Sequence, residues 1–190
     1  MRTVGSDAEL RALVIEARSA GHPLPVVGLL GGDMMRTLGG SGDATRLTGD
    51  EPIPHLPIDI VTVAADGGTP TVFVSHLVAR RRTWWRGPIT AAMNSQFIGR
   101  WDISPRCHPN DGRIDVVTVS AAFGLQQRWL ARPRLLLGTH VPHPMIDIKQ
   151  SRSVTIDLGG PRQVWLDGRR WIRAGVLEMN VEPDALVVCV

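Results

Sequence analysis

Three groupings in this 190-residue chain combine residue types that can do chemistry. The first is glycine followed by aspartate at the start of a helical pattern, in Gly5-Ser6-Asp7 and in Gly31-Gly32-Asp33. Each follows a short apolar run. A strand that passes through glycines into a helix aims backbone N–H groups outward, and two such turns can converge on one anion such as a phosphate. Gly-Gly also makes an ordinary turn. The second grouping is Arg80-Arg81-Arg82-Thr83-Trp84-Trp85-Arg86. Paired indoles flanked by guanidinium groups suit a membrane interface, where Trp sits at headgroup depth and Arg meets lipid phosphate. The alternative is that the two Trp plug one end of a core while the Arg side chains are solvated. The third is His140 with His143, whose spacing suits a metal pair, although no third Cys, Asp or Glu stands nearby and two prolines break any helix there.

The elements that must position these residues follow from periodicity. Thr3-Val4 reads as a short strand and Ser6 or Asp7 as the cap of a helix reaching about Ala20, with Leu10, Leu13, Val14 and Ala17 as its apolar stripe and Gly21 as its stop. Leu24–Leu30 reads as a buried strand and Met34–Leu38 as a short helix. Residues 41–57 read as loop. From Ile58 the pattern becomes β: Ile58–Ala64, the turn Asp66-Gly67-Gly68, and Thr71–Ala79 form a hairpin. Asp111-Gly112 and Asp167-Gly168 are read as two further hairpin turns. Ala122–Arg132 is predicted to be helical and to end at Pro133. Val176–Glu182 alternates, and Pro183-Asp184 turns the chain into Leu186–Val190. The fold expected is α+β, with residues 1–57 a small incomplete α/β fragment and residues 58–190 an antiparallel β-sandwich.

Composition bounds the rest. With 43% hydrophobic residues and two cysteines, Cys107 and Cys189, the chain can bury a core without disulfides, which reads as a reducing, cytoplasmic compartment. No apolar run is long enough to span a bilayer, so membrane contact is expected to be peripheral, at the inner membrane face. The net charge is +3, and Lys149 is the single lysine among 21 basic residues. Few aromatic residues and no recognised motif accompany the arginines, so nucleic acid is not an expected partner.

Several segments, in order, resemble the diacylglycerol kinase-like lipid kinases, a superfamily that includes sphingosine kinases and, distantly, NAD kinases. Gly28–Gly39 resembles the family's second nucleotide-site segment, and Ile58-Asp59-Ile60 the strand after it. Asn94–Val119 resembles its asparagine-bearing strand, Pro-rich turn and Asp-Gly segment. Gly138-Thr139-His140 with His143-Pro144, Val164–Gly168 and the closing Glu182–Val188 complete the series. The resemblance implies an α/β nucleotide domain and a β-sandwich that holds a lipid. It further implies ATP and Mg²⁺, with Gly5, Asp7, Gly31, Gly32 and Asp33 at the nucleotide, Asp33 and Asp167 as catalytic residues holding Mg²⁺, and Asp111 at a metal-associated turn of the sandwich.

The chain departs from the family pattern in four places, one of them Gly31-Gly32-Asp33, which keeps the final Asp of the second segment and loses its Thr and Asn. Its first strands and helices are absent, so that it reads as an N-terminally abbreviated member. Ser6, Ala8 and Glu9 replace key positions of a Gly-Gly-Asp-Gly-Thr signature, and Arg169 stands where the family has a glutamate. The expected activity is ATP-dependent phosphorylation of a lipid hydroxyl, and the competing expectations are a catalytically silent lipid- or partner-binding module and one half of a split lipid kinase. Trp84, Trp85, Arg81, Arg82 and Arg86 are the expected lipid or membrane contacts. A truncated parallel sheet leaves an edge and a face to cover. A homodimer is therefore expected, through Val26, Val27, Leu29 or the apolar face of the first helix, with a separate nucleotide-domain chain as the other partner.

Overall fold

Alternating apolar residues from Leu56 onward build most of the molecule. A computed structural model describes residues 1–49, 52–81 and 83–190, so that Asp50, Glu51 and Arg82 lie outside the described residues. The elements in order are β1 (Arg2–Val4), α1 (Asp7–Ser19), β2 (Val27–Leu29), α2 (Asp33–Thr37), β3 (Leu56–Ala65), β4 (Thr71–Phe73), β5 (His76–Arg80), β6 (Ile89–Met93), β7 (Phe97–Ile98), β8 (Trp101–Asp102), β9 (Ile114–Val119), α3 (Leu125–Leu135), β10 (Ile146–Ser151), β11 (Ser153–Leu166) and β12 (Arg169–Cys189). One side of the sandwich runs β10-β9-β6-β5-β11, and the other is β12-β3-β4. Every pairing within it is antiparallel. Between the two sides lie Val61, Val63, Phe73, Leu77, Ile114, Leu166, Leu177 and Met179, which form its core.

The long strand β12 joins this sandwich to the N-terminal part. Its last residues, Val188 and Cys189, pair in parallel with Val27 and Gly28 of β2, whose other edge pairs in parallel with β1. Ser6 Oγ accepts the Glu9 N–H and caps α1, whose Leu10, Leu13 and Val14 bury against Val27, Leu29, Ile58, Ile60 and Val188. The two parts divided near residue 57 therefore share one core. Val27 and Leu29 are buried within their own chain and Val26 is half-buried, as is expected of a strand with both edges paired. Much of the apolar surface expected at an interface with a second copy is thus covered within the chain.

Four local expectations change. The expected strand Thr71–Ala79 breaks at Val74-Ser75, between β4 and β5. Pro183-Asp184 makes a bulge rather than a turn: Glu182 pairs with Ile60 and Leu186 with Ile58, so β12 carries two extra residues there. Asp111-Gly112 does not close a hairpin, because β9 pairs with β6 and β10 and not with the strand before it. One buried carboxylate explains both irregularities. Asp59 accepts the N–H of Gly112 at 2.8 Å and the N–H of Asp184 at 2.9 Å, satisfying donors that the ladder leaves free. The fourth change is α3, which continues past Pro133 to Leu135 and closes with tight bonds, Leu136 N–H to the Pro133 carbonyl and Leu137 N–H to the Arg134 carbonyl. By contrast, Asp66-Gly67 and Asp167-Gly168 close hairpins with positive φ at both positions, the geometry that right-twisted strands favour.

Candidate active site

The two glycine turns meet each other. Parallel pairing of β1 with β2 lays Gly5 beside Gly31 so closely that a Cβ on Gly31 would collide with the Gly5 carbonyl oxygen. Asp7, at the first turn of α1, then points at the start of α2. Its carboxylate accepts the N–H groups of Asp33 at 2.7 Å and Met34 at 3.1 Å. Two of the amides that a helix start would present to an anion are therefore held by the chain's own carboxylate. Burial raises the Asp7 pKa against the pull of those bonds.

Asp33 is half-buried beside it, with Oδ1 accepting the Gly99 N–H at 2.8 Å and Oδ2 lying 3.5 Å from His76 Nδ1. Burial and the charge of Asp7 push Asp33 up to about 6. Burial drives His76 down to about 4, so its ring is neutral at neutral pH. Nδ1 also lies 3.2 Å from Ser75 Oγ, which in turn is 2.7 Å from Ser95 Oγ. Ser75 and His76 sit where β4 breaks from β5, and Asp167 holds that break. Buried in the β11–β12 turn, its carboxylate accepts the N–H groups of Val74 (3.1 Å), Ser75 (2.8 Å) and His76 (3.1 Å). Burial and nearby Asp7 push it up to about 7 against those three donors.

Asp7, Asp33 and Asp167 thus meet at one junction across a sequence span from residue 7 to residue 167, but in different states. Ligand atoms of Asp7, Asp33 and His76 all lie within 4.8 Å of one another. Two crowded carboxylates, one of them raised by the other, suit a divalent cation, and their oxygens suit Mg²⁺ better than the imidazole does. Asp167 is not among those three; both its oxygens are held by backbone amides, as are those of Asp7. His76 and Ser75 were not singled out from the sequence; the signal for them was a Ser-His pair interrupting the apolar run Val72–Ala79.

The hairpin of β7 and β8 links this junction to a second feature. Gly99 at its tip caps Asp33, and Arg36 of α2 donates to the Gly99 carbonyl at 2.5 Å while stacking 4.0 Å from the Phe97 ring. The residues on either side, Ile98 and Trp101, line an apolar cavity of about 110 Å³ beneath α3, together with Trp84, Ile103, Val117 and His140. The two neighbouring tryptophans divide the roles weighed for them. Trp84 packs inward, edge-on to Trp101 at 5.8 Å, whereas Trp85 is exposed. Arg81 and Arg86 are exposed. Arg128 of α3 is buried and donates to the carbonyls of Phe123, Trp84, Gly87 and Ser120, clamping the helix to the Trp84–Gly87 loop. Beyond it α3 turns Leu125, Trp129 and Leu130 to solvent, followed by Leu137.

Asp111 stands apart from the junction. It is exposed, its Oδ1 accepts the Arg113 N–H at 2.9 Å, and its charged neighbours are Asp59, Asp115 and His108. His143 and His140 each bond to backbone instead of sharing a ligand position: His143 Nδ1 accepts the Met145 N–H, and His140 Nε2 meets the Ile103 carbonyl. Among the described residues no helix is long and apolar enough to cross a membrane.

Comparison with known proteins agrees with this architecture. A putative diacylglycerol kinase from Bacillus anthracis str. Sterne superposes with a TM-score of 0.65 at 14% identity, covering 87% of this chain and 68% of its own. Another diacylglycerol kinase structure from that organism gives 0.62 at 14% identity, covering 87% and 66%. The chain spans about two thirds of the length of each. No curated protein matches it. The family model described as the YegS C-terminal NAD kinase beta sandwich-like domain matches residues 62–190, more than half of the chain. The chain therefore belongs to that family and has the diacylglycerol kinase-like fold.

Proposed function

We propose that this protein works as a lipid kinase of the diacylglycerol kinase type, transferring the γ-phosphoryl group of ATP to a lipid hydroxyl. The observation that carries the reading is the β7–β8 hairpin, which has a raised carboxylate on one side and an apolar cavity on the other. A lipid whose tail lies against Ile98 and Trp101 has its head on the side of Asp33. Asp33, raised to about 6 by burial and by the charge of Asp7, is where a bound cation would relieve the repulsion between the two carboxylates. The lipid oxygen would bond to the γ-phosphorus, the bond to the β-phosphate oxygen would break to release ADP, and the hydroxyl proton would pass to solvent. Asp33 and Asp7 are the residues that would hold Mg²⁺, which when bound offsets phosphate charge. Asp167 positions His76 and Ser75 through their amides, so its part is positioning.

The lipid would arrive from a bilayer. Residues 80–86 and 120–137 carry seven arginines and no carboxylate. With Trp85, Trp129, Leu130 and Leu137 exposed beside them, the face of α3 matches an anionic lipid surface. A second reading, a lipid-binding module without transferase activity, is favoured by one specific observation: Asp7 already holds two amides of α2. Transfer of labelled phosphate from ATP to diacylglycerol in mixed micelles separates the two readings.

A further inference from the structure

His140 is buried, 4% exposed, and lines both the apolar cavity and a second one bounded by Gln127, Arg134 and His143. Its Nε2 lies 3.2 Å from the Ile103 carbonyl oxygen. A carbonyl can only accept, so Nε2 carries the ring proton and Nδ1 presents a lone pair. That Nδ1 is buried and has no hydrogen-bond partner among the described residues, and the same is true of Asp102 Oδ1. Of these two orphan acceptors His140 lines the cavity, and its position is costly, because a buried acceptor without a donor forfeits its hydration. A donor brought by a ligand would remove that cost.

We propose that the cavity beneath α3 binds an amphiphile whose apolar body packs against Trp84, Trp101 and Val117 and whose O–H or N–H donates to His140 Nδ1. His140 would therefore select hydroxyl-bearing molecules over donor-free ones. A carboxylate at that place is disfavoured, since it offers no proton to the lone pair and Asp102 already lies near His140, while Arg128 of the lining is taken by four carbonyls and Arg132 is exposed. Room is sufficient: one water needs roughly 10–15 Å³ on the same measure, against about 110 Å³ here. The inference rests on reading this cavity as the lipid site and is independent of phosphoryl transfer.

Trp84 and Trp101 line the cavity, so intrinsic fluorescence of the full chain reports its occupancy. The probes are 1-octanol, its isomer 1-methoxyheptane, and octanoate. The expected result is octanol binding roughly five- to tenfold more tightly than the ether, the yield of one net hydrogen bond, with octanoate weaker than octanol and His140→Phe erasing the difference between the isomers. Imidazole nitrogen NMR of the wild type needs no variant: the His140 Nδ1 signal should move with octanol and stay with the ether. Equal affinity for the isomers, an unmoved Nδ1 signal, a preference that survives His140→Phe, or tighter binding of octanoate would each overturn the role of His140 while leaving the cavity as a binding site. Binding of neither octanol nor the ether would overturn the cavity reading itself.

Discussion

The carboxylate of Asp7 accepts the backbone N–H of Asp33 at 2.7 Å, tying the start of one helix to the start of another 26 residues away. This contact decides what the two glycine turns do. They form a self-satisfied joint, with Asp33 left as the carboxylate that still faces outward. Asp7→Asn keeps the shape but turns an amide donor toward the N–H of Asp33 or Met34. It should cost about 1–3 kcal/mol in urea unfolding, the usual cost of leaving a buried donor unpaired. Gly31→Ala should cost at least as much, because its Cβ meets backbone and not a yielding side chain. Wild-type stability in both variants would mean that the turns are not packed as described.

Asp167 gives the fold a pH dependence of definite sign. Its pKa is raised in the folded state, to about 7 from 3.8, so the fold favours the protonated form. The associated stability is present at low pH and is lost as pH rises through 7. His76 and His140, both lowered by burial, act the other way, and their contribution is still being gained just above their ordinary value of 6.5. The opposing terms overlap between pH 6.5 and 8, so the carboxylate term is read as a difference: over that range the wild type should lose about 1 kcal/mol relative to Asp167→Asn. Calorimetry of both proteins at the two pH values checks it.

Membrane contact should belong to α3 and Trp85 rather than to the two neighbouring tryptophans equally. Trp85→Ala with Trp129→Ala should weaken sedimentation with vesicles of anionic lipid, and so should added salt, each surface arginine being worth about 1 kcal/mol. Trp84→Ala should instead lower Tm, since its ring packs on Trp101. Vesicle binding that is lost with Trp84→Ala and kept in the Trp85/Trp129 variant would reverse this assignment.

What was legible in the sequence was local. Ser6 ahead of Leu10, Leu13 and Val14 marks α1 because a side-chain cap and an apolar stripe are properties of consecutive residues. Asp66-Gly67 and Asp167-Gly168 mark hairpins for the same reason, positive φ being cheap there. The failures have one cause: a distant carboxylate. Asp111-Gly112 and Pro183-Asp184 look like hairpin turns, but Asp59 takes one N–H from each and makes them a loop and a bulge. Asp7, Asp33 and Asp167 were picked out as site residues, whereas their different states depend on which amides reach them. His76 was missed because its place beside Asp33 comes from the β4–β5 break, which exists only once Asp167 has folded back onto it.

The central claim is tested most directly by incubating the pure full chain with γ-labelled ATP and diacylglycerol in mixed micelles, with and without Mg²⁺, and measuring label in the lipid from pH 5 to pH 8. Labelled lipid should form only when Mg²⁺ is present, and Asp33→Asn should lower the rate by about 10²-fold or more, the loss of a charged group at the transferring phosphate. Absence of labelled lipid at every pH, with octanol still binding in the cavity, would contradict the kinase reading and leave the lipid-binding module.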